Sequence, residues 1–589
     1  MSEEARRPRV LVLGAAGRDF HCFNTVYREA GDFEVVAFTA AQIPGIGGRR
    51  YPPALAGPLY PGGIPIVDEG ELEAVCEREA IDRVVLAYSD LAHADVMHLA
   101  SRALASGADF VMHGPRATML AATRPVIAVS AVRTGCGKSQ AARFVGRRAV
   151  AAGLRVAALR HPMPYGALEA QAVQRFARRE DLTSAACTVE EREEYEPWLA
   201  AGIPVFAGID YAAILRQAEA EADLLVWDGG NNDFPFLRPD LHLVLVDALR
   251  PDQVDTHHPG ESALRMADVV IVNKVDAAAA DAVRGLVERV RAVRPRVPIV
   301  RTASPPRLED PERVRGRRVL VVEDGPTLLH GGMAYGAGFV AAVGAGAELV
   351  DPRTSAVPAI AEIYATHPAL GPVLPAAGYD PTQREALRAT IEASTAELVV
   401  AGTPIDLAAV LSLEKPVVRV HYELERTGTQ RFGSGLVRVG ASAEFLFKRI
   451  ALVVAMRAYG VTLDPDTEVI NTIGAKEGLS HLMWTLVQPG DVALVPEPSY
   501  PIHIYAPVLA GAEVRRVHLS TDSDFFDRLT AAFRTSWPKP RVIVTSFPHN
   551  PTTMTVDIDF FKRLVEFAHR NDVMLVHDFA YADISFDGY

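Results

Sequence analysis

Residues 126–145, VIAVSAVRTGCGKSQAARFV, combine an apolar run, a glycine-bearing loop and a helix-like stretch. Val126–Ser130 predicts a buried strand, and Gln140–Ala152 predicts the helix that follows the loop. The glycines between them would let backbone amides face phosphate groups, and the amino end of a helix favours an anion. Because strand, loop and helix occur in this order, the segment predicts a phosphate-binding loop (P-loop), although Val132 stands where the usual pattern has its first glycine.

The P-loop supplies the candidate nucleotide and metal ligands. Lys138 is expected to neutralise the β- and γ-phosphate oxygens, and Ser139 to ligate Mg²⁺. Asp228 follows the apolar strand Leu224–Trp227, where P-loop enzymes hold the shell of the magnesium ion. The predicted metal ligands are therefore Ser139 and Asp228. The predicted nucleotide-binding residues of the loop are Thr134, Gly135, Cys136, Gly137, Lys138 and Ser139.

A second motif bears on the identity of the nucleotide base. The apolar run Val269–Val272 predicts a strand, and Asn273, Lys274, Val275 and Asp276 follow it. This Asn-Lys-x-Asp pattern looks like the base-reading element of GTPases, so Asn273, Lys274 and Asp276 are predicted to contact the base. The motif favours guanine, and the choice between ATP and GTP stays open.

Cationic residues cluster at the predicted strand ends and loops of the same region. Arg160 follows the predicted strand Val156–Leu159, and Arg133 lies within the P-loop. Ligands of open α/β sheets bind at the carboxyl ends of strands, and phosphoryl transfer depends on cations that neutralise developing charge. The predicted catalytic residues are Lys138, Arg133, Asp228 and Arg160.

The amino-terminal segment predicts a separate α/β unit. The apolar run Val10–Leu13 is followed by Gly14 and Gly17. A glycine turn after a first strand is Rossmann-like, but the segment has no third glycine and no obvious carboxylate for a ribose. A purely structural turn between strand and helix is at least as consistent with these residues as a dinucleotide site.

Apolar runs alternate with helix-like stretches along most of the chain. Examples are Val35–Thr39, Val84–Ala87 and Val319–Val322. Near-continuous apolar strands separated by helices predict parallel sheets covered on both faces, which is the α/β class. We predict a Rossmann-like parallel-sheet domain over residues 1–120 and a P-loop nucleotide-binding and catalytic region over residues 121–430. The second region ends at the polar, glycine-rich junction Thr427–Gly435.

Length and composition limit the class of protein. A chain of 589 residues is too long for one core, and a net charge of −13 argues against binding nucleic acid. The four cysteines show no CxxC spacing, and the first residues are too polar for a targeting signal. No apolar run reaches the roughly 18–20 residues of a membrane span. We therefore expect a cytoplasmic protein without a membrane partner, and we leave homo-oligomerisation open.

The ordered motifs of residues 8–425 resemble those of cyclic 2,3-diphosphoglycerate synthetase and its bacterial relatives. The resemblance is carried by the segments Gly14–His21, Arg133–Ser139, Arg160–Gly166, Trp227–Asp233 and Asn273–Asp276. It implies a small, anionic, phosphorylated substrate, with ATP and Mg²⁺ driving closure of 2,3-diphosphoglycerate into its cyclic pyrophosphate. The alternative is a GTPase-like nucleotide switch or chaperone.

The last 150 residues resemble class I and II aminotransferases, which bind pyridoxal phosphate. Residues 431–589 are accordingly predicted to form a partial transferase-type α/β domain. The resemblance implies that Gly474, Ala475 and Lys476 hold the cofactor phosphate and that Tyr500 stacks on its ring. It further implies that Asn550 and Tyr581 bind the ring hydroxyl and that Asp578 holds the ring nitrogen protonated. No lysine follows Tyr581, so we expect non-covalent binding of pyridoxal phosphate and an inactive segment.

Overall fold

The computed structural model describes most of the chain. The described residues are 6–40, 48–161, 166–230, 233–329, 332–376, 381–426, 431–432, 435–436, 460–461, 463–464, 467–470, 472, 474–519 and 525–581. The chain divides into two compact units, residues 1–463 and residues 464–589. Sheets of α/β type occur in both units, as the alternation of apolar runs and helical stretches predicts.

The amino-terminal sheet of the first unit has six strands. In spatial order they are Arg50–Tyr51, Ile64–Asp68, Glu34–Ala40, Arg9–Leu13, Arg83–Leu86 and Asp109–Met112. The pairs are parallel except at the edge strand Arg50–Tyr51. Its helices are Arg18–Cys22, Pro53–Ala56, Leu72–Glu79, His93–Ala105 and Pro115–Thr118, with a π-helical turn at Phe23–Tyr27 and a 3₁₀ turn at Glu69–Glu71. The Rossmann-like assignment of this region stays a prediction.

The P-loop sheet is the largest sheet of the first unit. In spatial order its strands are Gln174–Phe176, Val205–Ala207, Val156–Arg160, Leu224–Asp228, Val126–Ala131, Leu241–Asp247, Val269–Asn273, Ile299–Ala303 and Glu425–Arg426. The two outermost strands are antiparallel to their neighbours, and the pairs between them are parallel. The P-loop strand Val126–Ala131 is therefore central and wholly buried.

Helices cover the P-loop sheet. They are Lys138–Ala151, Arg179–Ser184, Val189–Ala200, Tyr211–Glu221, Gly260–Met266 and Ala280–Val293, with a 3₁₀ turn at Pro251–Gln253. A short ladder, His257–His258 with Leu91–Ala92, joins this region to the amino-terminal one. Because the long parallel strands all end on one side, their last side chains meet at one edge of the sheet.

A third sheet follows within the first unit. Its spatial order is Arg307–Leu308, Val417–His421, Leu398–Gly402, Arg318–Asp324 and Glu348–Leu349, and Leu374–Ala376 also pairs with Arg318–Asp324. Its helices are Gly325–Leu329, Ala337–Gly344, Pro358–Thr366, Pro381–Ala393 and Leu407–Leu411, with a 3₁₀ turn at Pro352–Thr354. The interval 121–430 thus contains two sheets, and the predicted domain boundaries stay predictions.

The second unit contains a four-stranded parallel sheet. Its spatial order is Glu513–His518, Val492–Glu497, Val542–Ser546 and Met574–Asp578. Its helices are Ala475–Leu486, Pro501–Leu509, Phe525–Thr535 and Ile558–Arg570. In the first unit, the short strands Arg431–Phe432 and Gly435–Leu436 pair in antiparallel fashion. Within the described ranges, none of the helices combines the length and the apolar composition needed to cross a membrane.

Candidate functional site

The P-loop connects the central strand to the helix Lys138–Ala151. Gly135 and Gly137 have φ angles of +83° and +94°, a region that residues with side chains rarely adopt. A Cβ atom on Gly137 would lie 2.3 Å from the side-chain nitrogen of Asn273. Glycine is therefore required at this position both by the backbone and by a close neighbour.

Asn273 and Lys274 contact the P-loop from the neighbouring strand end. Asn273 Nδ2 donates to the carbonyl of Cys136 at 2.9 Å, and Lys274 Nζ donates to the carbonyl of Gly135 at 2.7 Å. Asp276 accepts a hydrogen bond from the backbone N–H of Ser304 at 3.1 Å. The contacts of Asn273 and Lys274 thus support the P-loop. Recognition of the base by Asn273, Lys274 and Asp276 stays a prediction.

Buried charges meet where the strands beside the P-loop end. The carboxylate of Asp228 is fully buried, with Arg160 Nη1 at 2.5 Å and Lys138 Nζ at 3.3 Å. Ser139 Oγ lies 3.4 Å from Asp228 Oδ1. Trp198 Nε1 also donates to Asp228, at 3.1 Å. The structure thus brings together four residues that the sequence predicts for catalysis or metal binding: Lys138, Ser139, Arg160 and Asp228.

Electrostatics favour the ionised form of the Asp228 carboxylate. Burial alone would raise the pKa of Asp228, but the charges of Arg160 and Lys138 outweigh burial and hold the pKa below its ordinary value. Arg160 also pairs with Glu194. Ser139 and Asp228 present the hydroxyl and carboxylate oxygens that Mg²⁺ prefers, so the donor set fits the ion. A role for both residues as metal ligands stays a prediction.

Arg133 lines the same cavity but contacts residues outside this charge cluster. Its Nε pairs with Asp90 at 2.7 Å, and its Nη1 lies 2.9 Å from Gln253 Oε1 and 2.8 Å from His257 Nε2. Thr134 Oγ1 donates to the same Asp90 carboxylate at 2.8 Å. The guanidinium of Arg133 is therefore engaged by protein groups, and its predicted catalytic role rests on the sequence alone.

A cavity of about 250 Å³ lies between the P-loop and the third sheet. One wall consists of P-loop and helix residues, including Lys138, Ser139 and Arg143. The lining also contains four carboxylates, which form the acidic wall of the cavity. They are Glu193 and Glu194 from the helix Val189–Ala200, and Glu323 and Asp324 from the end of the strand Arg318–Asp324. The P-loop therefore faces a polar chamber closed by a second sheet.

The sequence reasoning missed this acidic wall. The run Val319–Val322 predicts a strand, and Glu323 and Asp324 follow it, which is the signal that identified Asp228. In the structure the oxygens of Glu323 accept hydrogen bonds from the backbone N–H groups of Gly336, Gly338 and Phe339 at 2.7–3.1 Å. Burial raises the pKa of Glu323 to about 7 despite these bonds.

The candidate cofactor residues of the second unit also lie together at strand and helix ends. Asp578 ends its strand with Oδ2 2.9 Å from His503 Nε2, and this hydrogen bond holds the pKa of Asp578 below its ordinary value. Asn550 Nδ2 donates to the hydroxyl of Tyr581 at 2.8 Å. Lys476 Nζ lies 5.4 Å from the centre of the Tyr500 ring.

Gly474 and Ala475 stand at the start of the helix Ala475–Leu486. Gly474 has a φ of +90°, and a Cβ atom built on it would meet no described atom within 4 Å. The open space at this helix start suits a phosphate group. Together with an ionised carboxylate and an aromatic ring, this arrangement fits pyridoxal phosphate.

Comparison with known families defines the class of protein. Residues 222–301 match the nucleotide-binding domain of the CobW/HypB/UreG family. Residues 440–589 match the class I and II aminotransferases. The first match supports nucleotide binding in the P-loop region, and the second implies pyridoxal phosphate, as the sequence predicts. The protein is thus a P-loop nucleotide-binding protein that carries an aminotransferase-type segment.

A relative that aligns over its whole length specifies the family. The arginine synthetase ArcE of Thermococcus kodakarensis is 53% identical over 446 residues, which are 76% of this chain and 100% of that relative. The chain belongs to the family of this arginine synthetase.

The second unit has relatives of its own. The glutamate-pyruvate aminotransferase AlaC of Escherichia coli is 53% identical over 131 residues, 22% of this chain and 32% of AlaC. The chain thus spans about a third of the length of this aminotransferase. The substrate-bound BacF structure from Bacillus subtilis is 33% identical over 23% of this chain and 34% of BacF, with a TM-score of 0.21.

The arginine synthetase relative overturns the predicted function. Synthesis of cyclic 2,3-diphosphoglycerate is wrong as a prediction, and the nucleotide-switch alternative is not carried further. The physical reason is that phosphate-binding motifs, from which Lys138, Ser139, Asp228 and Arg160 are predicted, occur with many different acceptors. Such motifs therefore do not identify the acceptor.

Proposed function

We propose that the first unit synthesises arginine at the expense of a nucleoside triphosphate bound at the P-loop. The observation that carries the proposal is the 53% identity to an arginine synthetase along the whole length of that relative. The position of the P-loop supports it, because the loop opens onto a chamber whose other wall comes from a separate sheet. Such a chamber provides room for a second substrate next to the terminal phosphate.

The residues of the site suit phosphoryl transfer to an oxygen. The P-loop amides and Lys138 would hold the β- and γ-phosphates, and Arg160 would add positive charge beside the transferring group. Ser139 and Asp228 would hold Mg²⁺, which neutralises phosphate charge when bound. Both Arg160 and Lys138 are fixed on Asp228. They are therefore positioned before the nucleotide arrives.

A balanced reaction follows from the structure of arginine. The bond between the terminal phosphorus and the nucleotide breaks, and a new bond forms to the ureido oxygen of citrulline, which stands where arginine carries nitrogen. An amine then forms the carbon–nitrogen bond, and inorganic phosphate leaves with that oxygen. The proton lost by the amine passes to a basic group or to water.

The second unit is proposed to bind pyridoxal phosphate through the residues that the aminotransferase match brings together. The backbone at Gly474 and Ala475, with Lys476, would hold the cofactor phosphate. Asp578 would face the ring nitrogen, and its ionised state is the one this role needs. Tyr500 would stack on the ring, and Asn550 and Tyr581 would bind the ring hydroxyl.

The test of arginine synthesis uses the full chain with citrulline, Mg²⁺ and either ATP or GTP. Ammonium and aspartate serve in turn as the amine. We expect nucleotide-dependent formation of arginine, or of its succinylated form with aspartate, with one phosphate released for each product molecule. Whether ATP or GTP supports the reaction also decides which base the site prefers. Phosphate release without a new guanidinium compound under every combination would contradict the proposal.

A further inference from the structure

The acidic wall of the cavity contains a buried carboxyl group without a cationic partner among the described residues. Glu193 is 5% exposed, and its Oε1 accepts a hydrogen bond from the hydroxyl of Thr403. Its Oε2 is buried and has no hydrogen-bond donor among the described residues. Asp324 lies beside it, and two neighbouring carboxyl groups can bond each other only if one is protonated. Burial, reinforced by the charge of Asp324, raises the pKa of Glu193 well above its ordinary value. This carboxyl therefore favours its neutral form in the free protein, and a cation bound beside it would favour the ionised form.

The wall formed by the P-loop and its helix contains an arginine without a contacting partner of opposite charge among the described residues. Arg143 is 8% exposed and lies in the helix that follows the P-loop. Its guanidinium makes no hydrogen bond or ion pair with any residue in the described ranges. Its helix neighbour Arg147 differs, because it is half-exposed and pairs with Glu423. Asp228 and Glu423 act on Arg143 only from beyond ion-pair distance, so Arg143 has no anion in direct contact among the described residues.

The other charged groups near the P-loop already have partners. Lys138 and Arg160 are paired with Asp228, and Glu194 is paired with Arg160. Lys274 is paired with Asp247 at 2.8 Å. These groups contact a partner of opposite charge within the protein, whereas Glu193 and Arg143 contact none among the described residues.

Arg143, Glu193 and Tyr422 line the same cavity. This half-buried tyrosine lines the cavity, and its hydroxyl lies 3.4 Å from the carbonyl oxygen of Gly402. Burial raises the pKa of Tyr422 well above its ordinary value, the carboxylates of Asp324, Glu193 and Glu323 raise it further, and Arg143 opposes them. The acidic wall and Arg143 are thus both within electrostatic reach of one side chain.

We propose that this cavity binds the zwitterionic head of an amino acid, with its carboxylate on Arg143 and its ammonium group on Glu193 and Asp324. The inference deepens the proposed arginine synthesis and rests on it. An ion without a partner in a buried site pays a desolvation cost that a ligand of opposite charge offsets. A zwitterion offsets both costs at once, and its side chain remains free to reach toward the P-loop.

The test is a crossed set of binding measurements on the full chain by titration calorimetry. The probes are arginine, agmatine, which lacks the carboxylate, and Nα-acetylarginine, which lacks the α-ammonium group. The wild-type chain is expected to bind arginine about 30-fold more tightly than either analogue, the ratio for about 2 kcal/mol. This comparison needs no variant and so does not depend on the folding of one.

Two variants separate the two charges. Arg143→Gln is expected to weaken the binding of arginine about 30-fold. It should change the affinity for agmatine by less than about threefold, because agmatine has no carboxylate for Arg143 to bind. Glu193→Gln is expected to weaken the binding of arginine and of agmatine. It should leave the affinity for Nα-acetylarginine within about threefold of the wild-type value. Asp324→Asn replaces Glu193→Gln if the latter does not fold. Arg147→Gln and Glu385→Gln are the matched surface controls.

The outcomes distinguish this inference from the function on which it rests. Equal affinity of the wild-type chain for arginine and both analogues, or equal effects of each variant on all three probes, would overturn the assignment of the subsites alone. Binding of ATP without binding of any probe would overturn the proposed function and the subsites together.

Discussion

The P-loop cluster and the cofactor-type cluster of the second unit both lie at the carboxyl ends of parallel strands, but they differ in burial. The side chains of Arg160 and Asp228 are both fully buried. In the second unit, Asp578 keeps 14% of its side-chain exposure beside His503, and Lys476 is exposed. The P-loop cluster therefore depends on buried charges that compensate each other, whereas water can solvate part of the cluster in the second unit.

Burial changes what the loss of one partner costs. Removing one member of a buried ion pair leaves a charge without compensation and typically costs about 3–5 kcal/mol. Removing a member of an exposed pair typically costs less than about 1 kcal/mol, because water replaces the partner. Substitutions should therefore have large effects in the P-loop cluster and small ones in the second unit.

The largest effect is expected for Arg160→Ala. The change leaves Asp228 and Glu194 without their shared cation, so the free energy of unfolding of the first unit should fall by about 3–5 kcal/mol. Urea denaturation followed by tryptophan fluorescence measures it, since Trp198 contacts Asp228.

Arg155→Ala is the matched control for Arg160→Ala. Arg155 pairs with Asp223 at the surface with a side chain 59% exposed, so its loss should cost less than about 1 kcal/mol. If Arg160→Ala costs no more than this control, the compensation of buried charges is not what stabilises the cluster.

An intermediate effect is expected for Glu323→Gln in the acidic wall. The pKa of Glu323 rises from 4.5 to about 7 on folding. Its contribution to stability is therefore complete below pH 4.5 and is lost as the pH rises through 7. At 1.36 kcal/mol per pKa unit this amounts to about 3 kcal/mol, as an order of magnitude.

The measurement for Glu323→Gln is the free energy of unfolding between pH 4.5 and pH 8. The free energy of unfolding of the variant should lack the decline with rising pH that Glu323 causes in the wild type. The difference in unfolding free energy between wild type and variant should therefore change between pH 4.5 and pH 8. The control Glu385→Gln should run parallel to the wild type, because its hydrogen bond with Arg388 lowers the pKa of Glu385. A gap independent of pH for Glu323→Gln would show that its carboxyl does not titrate there.

The smallest effect is expected for Asp578→Asn in the second unit. The amide cannot carry the negative charge that holds a ring nitrogen protonated, so affinity for pyridoxal phosphate should fall about tenfold, or about 1.4 kcal/mol. Equilibrium dialysis of the full chain measures this affinity. Asp559→Asn, at an exposed pair with Lys562, should bind as the wild type does. An affinity unchanged in Asp578→Asn would remove this residue from the cofactor site.

Local sequence patterns predicted the elements of the P-loop region well. The runs Val126–Ser130, Leu224–Trp227 and Val269–Val272 are buried strands in the structure, each within one residue of its predicted end. Apolar strands and glycine loops are decided by neighbouring residues, so one chain segment contains the information. Lys138, Ser139 and Asp228 could be brought together on this basis, because parallel strands end at one edge.

Local sequence patterns do not predict contacts between segments that are distant in the sequence. No short motif contains the three residues Arg143, Glu193 and Asp324. The first two lie in two different helices of the P-loop region, and the third ends a strand of the third sheet. Asn273 was interpreted through a four-residue motif, yet its amide bonds to the P-loop backbone. The acceptor was predicted wrongly for the same reason, since the wall that faces the P-loop is assembled only by the tertiary fold.

The most direct test of the account is the rate of arginine formation by Lys138→Ala with saturating nucleotide and citrulline. Lys138 is the cation of the P-loop and lies 3.3 Å from Asp228. Its loss should lower the rate by about a thousandfold, as removal of a charge-stabilising donor does. Arg155→Ala should retain the wild-type rate. A Lys138→Ala variant that forms arginine within about tenfold of the wild-type rate would contradict the placement of the reaction at the P-loop.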